Sequence, residues 1–301
     1  MGENIIKSIC WDITSRCNDN CTFCYRNPDN KELDFESNKI ILKKLIDFGV
    51  DKISFVGGEP LLYAKLYDLV RWGIMYAEGK TKFSITTNTI LLTELIDEEI
   101  ILKEREIKKI LELFDWITFS LDAPNREIQS RMGRNKFHYE RVIKILQYLN
   151  DSQFSKKIKI NTVVSNLNKG YLIELYQMLC KYSIKRWKLF RFLPSRGNAL
   201  KYQDKYYISE TQFEDEIKKI KIKNKSDQIL ITTNGYENFD NSYITISSDG
   251  KLVVYNNGKY ESKINLLYED AEKILQYIDI KKHIEKRSDF IKIERIHEGQ
   301  I

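Results

Sequence analysis

The chain reads as an α/β protein with parallel strands, and three observations give that class. Short apolar runs rich in β-branched residues alternate with amphipathic helical patterns from residue 8 to residue 192, the order that builds β/α units. The motifs able to handle a ligand fall just after strand patterns, where loops at the carboxyl ends of parallel strands form sites. A length of 301 residues suits one large domain, or a barrel with an added C-terminal part, burying roughly three quarters of its surface.

The strand patterns are 8–14, 52–56, 82–87, 115–121, 157–164 and 186–192, with helical patterns near 37–48, 62–77, 105–114, 136–149 and 169–182. The first strand, Ser8-Ile9-Cys10-Trp11-Asp12-Ile13-Thr14, leads into a loop with three cysteines, Cys17-Asn18-Asp19-Asn20-Cys21-Thr22-Phe23-Cys24. The second runs into Gly57-Gly58-Glu59-Pro60. Paired glycines let backbone approach a ligand closely and take positive φ, and Glu59 can accept hydrogen bonds from an ammonium group. The same four residues could equally make only a tight βα connection. The third strand ends in Thr86-Thr87-Asn88 and the fourth in Ser120-Leu121-Asp122. Ser120 and Asp122 share one face; Asp122 also suits a cap for the next helix. Lys159 and Asn161 on the fifth strand, and Arg186 and Lys188 on the sixth, are pairs two apart, so each pair faces one side. After about residue 200 the pattern changes. Asn234-Gly235 and Asp249-Gly250 mark tight turns, and 242–246 with 251–255 reads as a hairpin. The expected division is a β/α body over 1–200 and an extension over 201–301 covering the barrel mouth.

Composition excludes several classes. A net charge of +6 is modest for this length, with Lys and Glu mixed along most helices, as on a solvated face. The basic run 281–287 has no interleaved aromatics, a weak nucleic-acid signal, so no nucleic-acid partner is expected. No apolar run approaches the roughly 20 residues of a membrane span, and Met1–Lys7 is too short and polar for a leader. The expectation is a soluble, cytoplasmic protein with no membrane partner. Five cysteines, an odd number without a leader, argue against a disulfide framework. A structural zinc needs four ligands, yet Cys10 lies in a strand and His138, His283 and His297 are distant. Tight thiolate spacing on one loop instead suits an iron–sulfur cluster, which needs several sulfurs to converge. Cys180, in a helical pattern, reads as a small buried hydrophobe.

The C-x3-C-x2-C spacing, with aromatic Phe23 before the last cysteine, resembles the radical S-adenosylmethionine (SAM) enzymes. The resemblance implies an open, partial (β/α)6 barrel with a C-terminal extension. It implies a [4Fe-4S] cluster on Cys17, Cys21 and Cys24, with SAM on the fourth iron. Gly57, Gly58, Glu59 and Pro60 would contact the methionyl amine, and Phe23 and Asn88 would lie with the cofactor. Thr89 stands where the family often has glycine. Ser120 and Asp122 would meet the ribose and methionine, and Arg134 the SAM carboxylate, unless Arg134 is a solvated surface residue.

A narrower resemblance, to the viperin-like nucleotide dehydratases, rests on Asp51–Phe55, Lys159–Val164, Lys185–Phe190 and Asn241–Ile244. It implies dehydration of a ribonucleoside triphosphate in antiviral defence, with an electron donor such as flavodoxin or ferredoxin. Lys52, Lys159, Asn161, Arg186 and Lys188 would bind substrate, and Tyr243 would bind or protonate the sugar. Unpaired cations in a barrel interior are costly; a triphosphate offsets that cost, with each charge-assisted hydrogen bond adding about 1.5–3 kcal/mol. Each lysine alone could instead be a solvated strand-edge charge, and Tyr243 a tyrosine packing the hairpin. Two other functions remain open: a radical SAM enzyme modifying a peptide or another small molecule, and a cluster protein for electron transfer or sensing. Only two cysteines lie outside the loop, so the C-terminal part lacks the cysteines for auxiliary clusters.

Overall fold

The computed structural model describes residues 5–26, 28, 31–97, 101–224 and 229–287. Residues 1–4, part of the N-terminal stretch read above, lie outside them. The strands are β1 Ile9–Thr14, β2 Lys52–Gly57, β3 Lys82–Thr87, β4 Trp116–Ser120, β5 Ile158–Val164, β6 Arg186–Arg191, β7 Leu230–Asn234, β8 Ile244–Ile246, β9 Lys251–Asn256 and β10 Lys259–Asn265. They form one open sheet in the order β10-β9-β8-β1-β2-β3-β4-β5-β6-β7. Neighbours from β1 to β7 are parallel. β8 is parallel to β1, while β8, β9 and β10 follow as an antiparallel meander.

Alternation along each strand divides the residues between two environments. On β1, Ile9, Trp11 and Ile13 are fully buried against the helical layer, where Trp11 stacks on Phe55 of β2 and Phe55 on Phe83 of β3, with centroids 5.8 and 6.3 Å apart. The helix Phe35–Asp47 covers that face with Ile41, Leu42, Leu45 and Ile46. Its first turn is capped by Asp34, whose side chain accepts from Ser37 N–H, a cap of about 1 kcal/mol. Burying each such Leu or Ile contributes about 1.5–3 kcal/mol. The residues between them, Ser8, Cys10 and Asp12, face the opposite side and line a cavity.

The strands expected at the six positions are present within a residue or two. The helices Phe35–Asp47, Leu66–Ala77, Ile101–Leu113, His138–Leu149 and Leu172–Leu179 stand where helical patterns were read. Helices Ile90–Asp97 and Arg126–Arg131 and strand β7 were not expected. Besides the six expected strands and the expected hairpin of β8 and β9, the described sheet takes in β7 and β10, because the chain after residue 200 enters the same sheet. β7 pairs with β6 and β8 pairs with β1, so this segment builds both ends of the sheet as well as bordering its cavity. No helix among the described residues is long and apolar enough to cross a membrane.

Candidate active site

A cavity of about 920 Å³ is lined by the inward positions of the parallel strands, the cysteine loop and the C-terminal residues. The inward series Lys52-Ser54-Val56 on β2, Lys159-Asn161-Val163 on β5 and Arg186-Lys188-Phe190 on β6 all reach it. Every site residue predicted from sequence except Pro60 lines this one cavity; Pro60 is buried and opens the turn Pro60–Leu62.

Cys17, Cys21 and Cys24 are free thiols on the loop after β1. The loop is held from several sides. Gly58 N–H donates to Thr14 O (2.8 Å) and Glu59 N–H to Arg16 O (2.7 Å). A Cβ on Gly58 would stand 1.8 Å from Arg16 O, and Gly57 has φ +128°, so both glycines are required by this backbone approach. Asp19 N–H donates to Cys17 Sγ (3.4 Å), Arg26 N–H to Cys24 Sγ (3.4 Å) and Arg134 Nη1 to Cys21 Sγ (3.5 Å). Such donors favour thiolate sulfur and tune a bound metal. Burial pushes the Cys17 and Cys21 thiols up, so metal binding there releases protons. Among the described residues no group of three His, Cys, Asp or Glu side chains is placed to hold one metal ion. A cluster that binds one cysteine per iron does not require such a group, and three loop sulfurs on one cavity, each supplied with a donor, fit it.

Glu59 is 1% exposed. Its Oε1 accepts from Thr87 Oγ1 (2.8 Å) and Leu61 N–H (3.2 Å), and Oε2 from Asn88 N–H (2.7 Å). Burial pushes its carboxyl up to about 7, with those three donors pulling the other way. The Asn88 amide donates to Asn18 Oδ1 (2.8 Å), joining the end of β3 to the cysteine loop. Thr89, in the glycine's place, holds φ 68°, a left-handed conformation costing a β-branched residue about 1–2 kcal/mol.

The capping role expected of Asp122 is corrected. It is fully buried, with Oδ1 accepting from Val163 N–H (2.8 Å) and Oδ2 from Arg134 Nε (2.8 Å). The next helix, Arg126–Arg131, is capped by Asn125. Asp122 therefore orients Arg134, and it lines the cavity beside it. Arg134 is no surface residue: only 10% of its side chain is exposed, and its guanidinium lies 4.8 Å from the Phe23 ring centroid.

The opposite part of the cavity is basic. Lys159 pairs across the sheet with Arg186, and Asn161 with Lys188. Lys159 Nζ stands 3.8 Å from the Trp116 ring centroid, and Arg186 Nε donates to Thr232 Oγ1 of β7 (3.0 Å). Burial, followed by the charges of Arg287, Arg186 and Lys52, pushes the Lys188 ammonium well below the usual lysine range. Asn234, with its amide oriented to satisfy both ends, accepts from Lys188 Nζ (3.2 Å). Arg287 was missed in the sequence. It is 8% exposed, ends the helix Ile280–Arg287, donates from Nη2 to Asn238 O (2.6 Å) and lies 4.5 Å over the Tyr243 ring. Its signal was the i, i+4 spacing with His283, the other buried residue of that helix. Tyr243 Oη is 2.9 Å from Cys10 Sγ. Asp12 also lines the cavity, its carboxyl pushed up to about 6 by burial with Arg196 opposing. Cys180 is half-buried, packed against the core.

The sequence model of the Radical SAM superfamily matches residues 11–179. A protein of Flammeovirga pacifica, called S-adenosylmethionine-dependent nucleotide dehydratase, is 27% identical over 287 residues, 91% of each chain. The S-adenosylmethionine-dependent nucleotide dehydratase RSAD2 of Danio rerio is 24% identical over 286 residues, 90% of this chain and 73% of that one. Among solved structures, Streptococcus suis SuiB bound to precursor peptide SuiA superposes with a TM-score of 0.67 over 95% of this chain and 67% of that one. At 19% identity that likeness is one of fold. Since the family match takes in the cysteine loop and more than half of the chain, the chain belongs to the radical SAM superfamily, whose cofactors are a [4Fe-4S] cluster and SAM.

Proposed function

We propose that this radical SAM enzyme dehydrates a ribonucleoside triphosphate to its 3′-deoxy-3′,4′-didehydro form. The observation that carries the reading is the basic floor of Lys52, Lys159, Arg186, Lys188 and Arg287 in the same cavity as the cysteine loop. Like charges gathered out of water are unfavourable, and a triphosphate in their midst turns that repulsion into attraction. Each charge-assisted hydrogen bond so formed contributes about 1.5–3 kcal/mol. The names of the Flammeovirga and Danio relatives support the same substrate class.

In this reading Cys17, Cys21 and Cys24 hold the cluster. Gly57, Gly58, Glu59 and Pro60 form the strip for the methionyl amine, Asn88 and Ser120 lie beside it, and Arg134 over Phe23 faces the carboxylate. Asn161 joins the cations as a neutral donor. With the cluster reduced and SAM bound, the site supplies a carbon radical able to take hydrogen from unactivated carbon. The chain's part is to fix the ribose between that source and the phosphate floor, excluding water. Tyr243 faces the sugar. The electron comes from a donor such as flavodoxin or ferredoxin, and a product without a 3′-hydroxyl terminates nucleic-acid synthesis, which suits antiviral defence.

The test uses anaerobically reconstituted protein with dithionite, SAM and an equimolar mixture of ATP, CTP, GTP and UTP, read by mass spectrometry. Loss of one water from a nucleotide, together with 5′-deoxyadenosine, is the expected result and names the base. Formation of 5′-deoxyadenosine with every nucleotide unchanged would sink the dehydratase reading and turn the search to peptides.

A further inference from the structure

We propose that Cys10 is the hydrogen source of the dehydration, its thiol giving a proton to the departing 3′-hydroxyl and then an electron to the sugar, with Tyr243 restoring the thiol proton. This rests on the dehydratase reading. Cys10 stands midway along the inward face of β1, between Ser8 and Asp12, and lines the cavity with both. Its electrostatic neighbours are Lys52, Arg287 and Lys188. A triphosphate seated on those cations brings its ribose alongside the thiol. In the sheet register Cys10 stands opposite Ser54, one inward step beyond Lys52, and Asp12 opposite Val56 leads on toward the cysteine loop. The thiol therefore lies between the phosphate floor and the cysteine loop, the interval a reacting ribose must occupy.

Its hydrogen bond is also informative. A cysteine used as a small apolar filler packs against hydrocarbon. Cys10 instead turns toward a polar cavity and meets the Tyr243 phenol at 2.9 Å, with the Arg287 guanidinium 4.5 Å from the centroid of that ring. Thiol and phenol share one hydrogen bond, so a proton taken from the sulfur can be replaced from the oxygen without either group moving.

Once the C4′ hydrogen is removed, the C3′–O bond breaks; the hydroxyl takes the Cys10 proton and leaves as water, giving a radical cation over C3′ and C4′. The Cys10 thiolate gives it one electron, which completes the C3′=C4′ double bond and leaves a thiyl radical. One electron from a low-potential iron–sulfur or flavin protein, or from dithionite, returns the sulfur to its resting oxidation level. The proton it needs is passed through Tyr243 Oη.

The experiment compares reconstituted wild-type holoenzyme with Cys10→Ala and Cys10→Ser. SAM cleavage persists in both, and the ratio of 5′-deoxyadenosine to dehydrated nucleotide rises about 100-fold, the scale of a lost positioned proton donor. An unchanged ratio overturns the role of Cys10 alone. Wild-type protein that forms 5′-deoxyadenosine and no dehydrated nucleotide overturns the dehydratase reading, and this step with it. A second measurement needs no turnover and no variant: the wild-type holoenzyme is alkylated with N-ethylmaleimide and the labelled peptides are mapped. The four nucleoside triphosphates shield Cys10 and leave Cys180 labelled as before; equal labelling of Cys10 with and without nucleotide overturns its placement beside the substrate.

Discussion

Lys188 is half-buried on the cavity wall, where burial and three other cations raise the cost of its charge. The folded protein thus binds its proton less tightly than the unfolded chain does. Linkage then makes this group's contribution to stability rise with pH from its lowered native pKa toward the ordinary lysine value. Replacing it with a long apolar side chain removes that repulsion and also one phosphate contact. Lys188→Met is expected to raise the melting temperature of the nucleotide-free protein while weakening triphosphate binding about 30-fold, the equivalent of about 2 kcal/mol. Calorimetry on both proteins checks the pair of effects, and unchanged nucleotide affinity would remove Lys188 from the site. Glu59 works with the opposite sign. Its carboxyl, pushed up to about 7, keeps a proton that the unfolded chain releases near 4.5, so its contribution to stability falls as pH climbs through that interval. An ammonium beside it favours the carboxylate. SAM affinity is accordingly expected to increase as pH rises from about 6 to about 8, measured by equilibrium binding; a flat profile would mean that Glu59 serves only its three internal donors.

At the scale of elements, the turn after β2 is fitted to the loop after β1 as one backbone against another. Gly58→Ala would drive a Cβ into Arg16 O at 1.8 Å, and backbone cannot step aside as a side chain can. The expected outcome is a protein with near-native circular dichroism whose iron content after reconstitution falls to less than half, the change being confined to the loop. Full iron loading would show that the close approach is dispensable. This level was also the most legible in the sequence. The six β/α patterns were plain because strands buried on the helix side keep a strict period of two, as Ile9, Trp11 and Ile13 do. Strand β7 escaped because its residues are mostly half-buried, leaving no apolar alternation to see. Asp122 was read as a contact or a cap because the sequence shows only its neighbours. What decides its role is Val163 and Arg134, brought to it by other elements. Asp12 and Cys10 were visible only as residues of the first strand, and their chemistry depends on Arg196 and Tyr243 far along the chain.

For the molecule as a whole, the two ends of the described chain meet, and the later one reaches the site. The helix Ile280–Arg287 delivers Arg287 to the cations, and His283 Nε2 accepts from Lys7 N–H (3.0 Å), a contact spanning 276 positions. A chain stopped after Asp279 is expected to retain SAM cleavage while losing nucleotide affinity about 10-fold or more, one charge-assisted contact at the least. Titration calorimetry of the stopped chain against the full one checks this, and equal affinity would leave the basic floor to the strands alone. The pairing of β1 with β8 also sets an order of events during synthesis. The strand that leads into the cysteine loop leaves the ribosome first, yet one of its edges stays open until residues 244–246 follow it out. Emerging at about 5–20 residues per second, the nascent chain spends tens of seconds with its metal-binding loop attached to a half-paired strand. Iron delivered during that interval would meet sulfurs whose positions are not yet settled, so the finished polypeptide, rather than the growing one, is the form made ready to be charged with its cluster.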